Sequence, residues 1–426
     1  MPDARDIVPN QHPRDLRLVP PGSKSYANRA LILAVYSRRT CTFHNLSPSD
    51  DTRHLLEALE TMGYSIRQHD GATTLSGSPQ ATIKETRLNA GTGGTTARFL
   101  LPLLANTPGR WLLDADEQLR RRPMAPLIVA LRQMGASIED VGKPGHLPLR
   151  IAGTKLRGAR ITLDAGGSSQ FLSALLLLAP TLPGELVIQL DGDLASAPYV
   201  AITIDVLRAF HAPTPAIDKN LISAKPAKTF GIERFQIPPD ASGATYLWAA
   251  AAITRSRCVI PGLGLDSPQG DCRFATVLEA MGCRVVDSHD GLGIDARQVS
   301  RLRAGAFDMK DMPDAAPTLA VVALFADGVS RIDGLATLRH KESDRVAALA
   351  MELARLGAKV RHGDDWLEIE GSDNLKGCSL DTYDDHRMAM VLALAGLKVS
   401  GIAINNPGCV SKSYPSYWQD FARFEH

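Results

Sequence analysis

Six short polar clusters in this chain stand directly before strongly apolar runs, and several carry charged side chains. The first reads PGSKSYANRALILA and brings Lys24, Ser25 and Arg29 together. GTGGTTARFLLPLLA carries Arg98, MPDAAPTLAVVALFA carries Asp314, and YDDHRMAMVLALAGL carries Asp385, His386 and Arg387. GGSSQFLSALLLLAP and PDASGATYLWAAAAI complete the set. If each apolar run is a helix, each cluster is a helix front. A helix N-terminus exposes unpaired N–H groups and about half a positive charge. Small residues let a phosphate or carboxylate approach that backbone. For a single front, a plain Ser, Thr or Asp N-cap is the simpler reading. Six surface caps would have no use for this inventory of charges, so the set points to anion binding.

The elements that must position these residues repeat along the chain. Lys24, Thr95, Ser169, Gly243, Asp314 and Asp385 mark the fronts at steps of about 71 to 74 residues. A second signature interleaves with them. LEALETMGYSI, LIVALRQMGASI, VLEAMGCRVV and MELARLGAKV each read as an amphipathic helix, a glycine stop and a strand. Gly63, Gly135, Gly282 and Gly357 are the stops, and IDVLRAFHAPT is a degenerate copy between them. Glycine supplies the left-handed residue that ends a helix. A period this regular is an internal repeat. Each unit mixes two helices with several short strands, an α/β (α+β) pattern. Six units suggest two domains of three. If the units are related by approximate symmetry, their helix fronts converge on one pocket.

Composition excludes several alternatives. The formal net charge is +1, so any anion site is local rather than part of a nucleic-acid-binding field. MPDARDIVPNQHPRD has no apolar core of a secretory signal, and FLSALLLLAP stops at Pro180, too short to span a bilayer. The six cysteines form no CxxC pair, and no HExxH or Cys/His zinc spacing occurs. These features predict a cytoplasmic protein with reduced thiols, no membrane or nucleic-acid partner and no metal. GTGGTT lacks the lysine of a P-loop, and GLGLDSPQG does not fit GxGxxG, so nucleotide binding is discounted.

From about residue 17 to its C-terminus the chain resembles the 5-enolpyruvylshikimate-3-phosphate synthase (3-phosphoshikimate 1-carboxyvinyltransferase) family. The resemblance is carried by PGSKSYANRALILA, SDDTRHLLEAL, AGTGGTTARFL, LRRRPMAPL, SSQFLSALLLLAP, SAPYV, DASGATYLWAAAAI, QGDCRFATVLEAMG, PDAAPTLA, RHKESDR, YDDHRMAM and PGCVSKSYP. It implies a two-domain enolpyruvyl transferase fold of six βαβαββ-type units, three per domain, with the active site in the inter-domain cleft. Residues 1–22 with 240–426 would form one globular domain and 23–239 the other. The implied reaction transfers the enolpyruvyl group of phosphoenolpyruvate to the 5-hydroxyl of shikimate 3-phosphate, with no cofactor and in a monomer. By resemblance, Lys24, Ser25, Arg29, Ser168, Ser169, Gln170, Ser196, Tyr199, Asp314, Thr337 and Lys341 bind shikimate 3-phosphate. Lys24, the Gly94 backbone, Arg122, Gln170, Arg345, Arg387 and Lys412 surround phosphoenolpyruvate. Arg98, Asp385 and His386 support them. Asp314 and Glu342, with Lys24, are the implied catalytic groups, Asp314 standing at the start of the fifth apolar helix as an N-cap whose dipole favours its ionised form, with nearby cations such as Lys24 or Lys341 pushing the same way. Glyphosate inhibits this family in competition with phosphoenolpyruvate, which places Gly94 beside its site.

The sister family that uses UDP-N-acetylglucosamine as acceptor is the nearest alternative. It carries a reactive Cys where this chain has Glu117, and Lys-Asn where this chain has Lys24-Ser25. A secondary-metabolism cyclitol is a further alternative acceptor. A non-catalytic scaffold and an RNA-terminal-phosphate cyclase relative are alternatives of other classes. The first would have lost acid/base or basic residues, and none is lost here; the second would show a nucleotide-binding signature. Departures from the family pattern are Thr92, Ala197, Phe99, Thr337, Gly243 and Asp384. Arg120 and Arg121, beside Arg122, read equally well as a solvated face.

Overall fold

Each apolar run behind a polar cluster folds as a helix: Lys24–Ser37, Gly94–Ala105, Ser169–Leu178, Ala241–Ile253, Ala316–Ala323 and His386–Gly396. Every residue of Ala241–Ile253 is buried, as expected for a helix apolar on all sides. The computed structural model describes residues 4–10, 12–80, 84–164, 166–192, 194 and 196–425.

The amphipathic segments fold as the second kind of helix. Asp50–Thr61, Ala125–Gln133, Phe274–Ala280 and Arg345–Arg355 are followed by Gly63, Gly135, Gly282 and Gly357, with φ of 103°, 95°, 108° and 89°. In the degenerate copy the helix Pro198–Ala209 ends at His211, which adopts the same left-handed backbone (φ 57°) without being glycine. The next N–H then bonds back to a helix carbonyl: Ala136 to Leu131, Ala212 to Leu207, Cys283 to Leu278, Ala358 to Leu353. These bonds satisfy carbonyls that the helix end leaves unpaired.

The chain divides into two compact units, Gly22–Ile237 (the continuous unit) and Met1–Pro21 with Pro238–His426 (the discontinuous unit). Five four-stranded sheets, a three-stranded and a two-stranded sheet occur among the described residues. In one repeat, Thr86–Asn89 pairs in parallel with Gly109–Asp114, which pairs antiparallel with Leu149–Gly153, which pairs antiparallel with Ser137–Asp140. Trp111 lies opposite Ile151, and Ile151 opposite Ile138, so the buried side chains share one face. Two repeats take their first strand from a distant stretch of chain. Arg234–Gln236 runs parallel to Cys41–His44, and Asp15–Arg17 parallel to Arg257–Ile260. The sixth repeat departs from the expected βαβαββ pattern. Its three-stranded sheet joins Ser379–Leu380, Ala403–Asn405 and the N-terminal Ala4–Asp6, and the chain then ends in short helical turns instead of a hairpin.

Within each unit the three apolar helices pack against one another, with sheets and amphipathic helices around them. Thr245 and Thr318 hydroxyls meet at 3.3 Å between two of these helices. The three fronts therefore come together at one end of each unit.

Candidate active site

Three of the six fronts are capped by a side chain. Ser168 accepts from Gln170 N, Asp240 from Gly243 N, and Asp385 from Arg387 N. Ser23, Gly93 and Ala315, which precede the other three helices, make no such bond. Half the fronts thus keep backbone N–H groups unclaimed by a capping side chain.

In the continuous unit, Lys24 Nζ pairs with Asp51 Oδ2 at 2.8 Å. Arg29 is 1% exposed and spends four of its five N–H groups on protein oxygens. Nε donates to Thr203 Oγ1 (2.7 Å), Nη1 to Ser25 O (2.8 Å), and Nη2 to Ser173 Oγ (3.2 Å) and Tyr199 O (3.0 Å). Its guanidinium lies 5.3 Å from the Phe99 ring centre. Burial pushes its pKa down to about 10. Arg98 Nη1 donates to Ser168 Oγ (3.0 Å) and Gln170 Oε1 (2.8 Å), over the Phe171 ring. It thereby fixes two polar side chains at the front that also carries Ser169. Ser196, in a left-handed backbone (φ 54°), starts the turn that leads to Tyr199. The Arg122 guanidinium rests against Gly94, whose added Cβ would sit 3.1 Å from Nη1. Arg120 is held by Asp114 (2.9 and 2.8 Å) and Arg121 by Glu117, so these two serve ion pairs on the surface.

In the discontinuous unit a chain of ion pairs links the remaining residues. Asp314 Oδ1 meets Arg345 Nη1 (3.2 Å) and Lys341 Nζ (3.5 Å), and Oδ2 accepts from Arg387 Nη2 (2.9 Å). Glu342 accepts from Arg345 Nη2 and from Lys412 Nζ, both at 2.8 Å. Asp385, fully buried, takes Arg345 Nε (2.8 Å) and Nη2 (3.1 Å) and Ser343 Oγ (3.0 Å). His386 Nδ1 lies 3.6 Å from Asp385 Oδ1. Arg387 Nη1 donates to Tyr246 OH (2.7 Å). The Thr337 hydroxyl is buried without a hydrogen-bond partner among the described residues. Burial alone would raise the Asp314 pKa; Arg387, Lys341 and Arg345 reverse that and hold it well below the usual carboxylate range.

One expectation needs correction. Asp314 is not an N-cap: its helix begins at Ala316 behind Ala315. Its carboxylate faces three cations, the expected Lys341 together with Arg345 and Arg387, and these keep it ionised. The sequence also gave no role to Asp51, Tyr246 or Asp271. Asp271 is buried, accepts from Ser242 Oγ, and has its pKa pushed up to about 6 by burial and then by Asp314. Each lies in a quoted block, but a lone acid or tyrosine there has no spacing that marks it.

The sequence profile of the EPSP synthase (3-phosphoshikimate 1-carboxyvinyltransferase) family matches residues 13–421. A 3-phosphoshikimate 1-carboxyvinyltransferase of Tolumonas auensis is 40% identical over 94% of this chain and 95% of its own length. One from a Sulfurovum species is 38% identical over 94% of each. An EPSP synthase structure from Acinetobacter baumannii superposes with a TM-score of 0.81, at 26% identity, covering 99% of this chain and 98% of that one.

Proposed function

The chain belongs to the EPSP synthase (3-phosphoshikimate 1-carboxyvinyltransferase) family, and we propose that it transfers the enolpyruvyl group of phosphoenolpyruvate to the 5-hydroxyl of shikimate 3-phosphate, a step of aromatic amino-acid biosynthesis. Inorganic phosphate leaves. The full-length match to relatives of that name supports this acceptor over UDP-N-acetylglucosamine.

The observation that carries the mechanism is the caging of Asp314 and Glu342 by Lys341, Arg345, Arg387 and Lys412. In this reading Lys24, Ser25, Arg29, Ser168, Ser169, Gln170, Ser196, Tyr199, Asp314, Thr337 and Lys341 hold shikimate 3-phosphate. Lys24, the Gly94 N–H, Arg122, Gln170, Arg345, Arg387 and Lys412 hold phosphoenolpyruvate. Both ligands carry a phosphate and a carboxylate, which arginine pairs two-pronged and lysine meets as a point charge.

An aspartate held far below its ordinary pKa is a poor base. The ligand anions resolve this. When they claim Arg345, Arg387 and Lys341, Asp314 loses its cationic partners and its proton affinity rises. Asp314 then accepts the acceptor hydroxyl's proton as the oxygen bonds to the central carbon of phosphoenolpyruvate. Glu342 handles the proton that the methylene gains. In the second half the methyl group returns a proton, the carbon–oxygen bond to phosphate breaks, and the double bond reforms. The balance needs no redox group.

The same reading makes the protein a cytoplasmic monomer. Among the described residues no helix is long and apolar enough to cross a membrane. A phosphate-release assay tests the proposal: release with phosphoenolpyruvate and shikimate 3-phosphate is expected, and release with UDP-N-acetylglucosamine instead would overturn it.

A further inference from the structure

In the discontinuous unit the apolar helices end, opposite their fronts, at a cavity of about 670 Å³. Ile253, Phe325 and Leu375 contribute to an apolar floor. Arg255, Arg301, Lys376 and Lys398 stand on the rim with a single lining carboxylate, Asp373. Arg301 pairs with Asp373 at 3.0 Å and lies 3.9 Å from Asp327, so the charge left over on the rim is that of Arg255, Lys376 and Lys398. Among the described residues, no carboxylate lies within ion-pairing distance of Arg255, Lys376 or Lys398. Desolvation, and after it the like charge of Arg255, push the Lys398 pKa down, while Asp373 pushes it up.

The equivalent place in the continuous unit carries neutral, hydrogen-bonded side chains instead. Gly153 and Gly371 align the two units, because a Cβ on either would meet a carbonyl at 1.8 Å, that of Thr107 in one and of Ala326 in the other. Asn106 therefore corresponds to Phe325. Thr181, three residues before Gly184, corresponds to Lys398, three before Gly401. Asn106 Nδ2 donates to Thr181 Oγ1 (3.1 Å), and Leu156 N donates to Asn106 Oδ1 (3.0 Å). This neutral lock is replaced by a ring and an ammonium in the discontinuous unit.

Helix C-termini attract cations on their own, which accounts for Arg255 and Lys398. It does not account for Arg301 and Lys376, which come from connecting segments. We propose that this cavity is a second binding site, for a small organic anion with a ring-sized apolar body on the floor and its phosphate or carboxylate on the basic rim. The volume is that of ordinary small-molecule sites, and the lining carries more charge than theirs, with four cations to one carboxylate, which suits an anion.

The test titrates the full chain with phenyl phosphate, benzoate and inorganic phosphate by calorimetry. Two variants accompany the wild type: Lys376→Glu with Lys398→Glu, and Phe325→Asn with Lys398→Thr, which copies the lock. Phenyl phosphate or benzoate is expected to occupy a site whose affinity falls about tenfold or more in both variants, while phosphate release from phosphoenolpyruvate is unchanged. The phosphate and carboxylate probes distinguish the two head groups. Equal affinity in the wild type and the charge-reversed protein overturns the proposal. So does inorganic phosphate binding as tightly as phenyl phosphate, because the floor would then contribute nothing. If the second variant fails to fold, the exposed charge reversal decides alone.

Discussion

Arg29 and Arg345 stand at the helix-front ends of the two units, and each is 1% exposed. Arg29 is surrounded by hydroxyl and carbonyl oxygens, with no carboxylate in ion-pairing distance among the described residues. Arg345 touches three carboxylates, Asp314, Glu342 and Asp385. Burial pushes the Arg29 pKa down to about 10, whereas the acids outweigh burial at Arg345 and drive its pKa up. The same repeat thus stores positive charge in two ways. At Arg29 the charge is fixed in place by neutral groups and left for an incoming anion. At Arg345 it is neutralised internally and must be taken from the carboxylates. The first arrangement suits binding, and the second couples binding to proton affinity.

The largest effect is expected where that coupling is cut. Asp314→Asn should lower turnover by about two to four orders of magnitude, the scale of a general acid–base group. Steady-state phosphate release measures it. The variant also leaves Lys341, Arg345 and Arg387 without their shared anion, so its melting temperature should fall and be restored by millimolar phosphate. Near-normal turnover with lost stability would make Asp314 a structural partner only.

The two arginines should then respond differently to deletion of their surroundings. Asp385→Asn leaves Arg345 buried with less compensation and should cost about 3–5 kcal/mol in urea unfolding. Arg29→Met removes an uncompensated buried charge and leaves neutral groups behind, so it should cost only about 1–2 kcal/mol. Its shikimate 3-phosphate affinity should nevertheless fall sharply. Equal stability losses would erase the distinction between the units.

Asp271 sharpens the comparison through pH. Its pKa is about 6 in the folded protein against an ordinary value of 3.8. A raised carboxylic acid binds its proton better when folded. Its contribution is therefore full below the unfolded pKa and is lost as pH rises through 6. Asp271→Asn should stabilise the protein at pH 7 by about 2–3 kcal/mol and have little effect near pH 4. Thermal melts at the two pH values check this; an equal shift at both would exclude titration of Asp271 as the cause.

Gly94→Ala should have the smallest effect on the fold. Its methyl would press on Arg122 at 3.1 Å, tighter than ordinary contact. We expect weaker glyphosate inhibition, with a smaller rise in the KM for phosphoenolpyruvate. Parallel losses of both would contradict the steric account.

Much of this was legible in the sequence because glycine and apolar periodicity have local causes. Gly63, Gly135, Gly282 and Gly357 announced their left-handed turns, whereas His211 takes the same conformation with nothing in its identity to signal it. The third strand of the sixth repeat was not visible locally because it is Ala4–Asp6, nearly four hundred residues from its partner, Ala403–Asn405. The charged residues at the fronts were visible, but their partners were not. Asp51 reaches Lys24, and Asp271 approaches Asp314, only through tertiary packing. Asp314 looked like a cap because it precedes an apolar run; the backbone places it one residue before the cap position and turns it toward cations.

The most direct test of the account is the ionisation of Asp314 itself. Carboxyl-labelled aspartate can be followed by carbon-13 NMR, with Asp314 assigned from the Asp314→Asn spectrum. In the ligand-free protein its resonance should remain at the ionised position through the usual carboxylate range. With saturating phosphoenolpyruvate it should titrate at a clearly higher pH, because the ligand has taken its cations. An Asp314 titration that phosphoenolpyruvate leaves unmoved would contradict the coupling of anion binding to proton affinity.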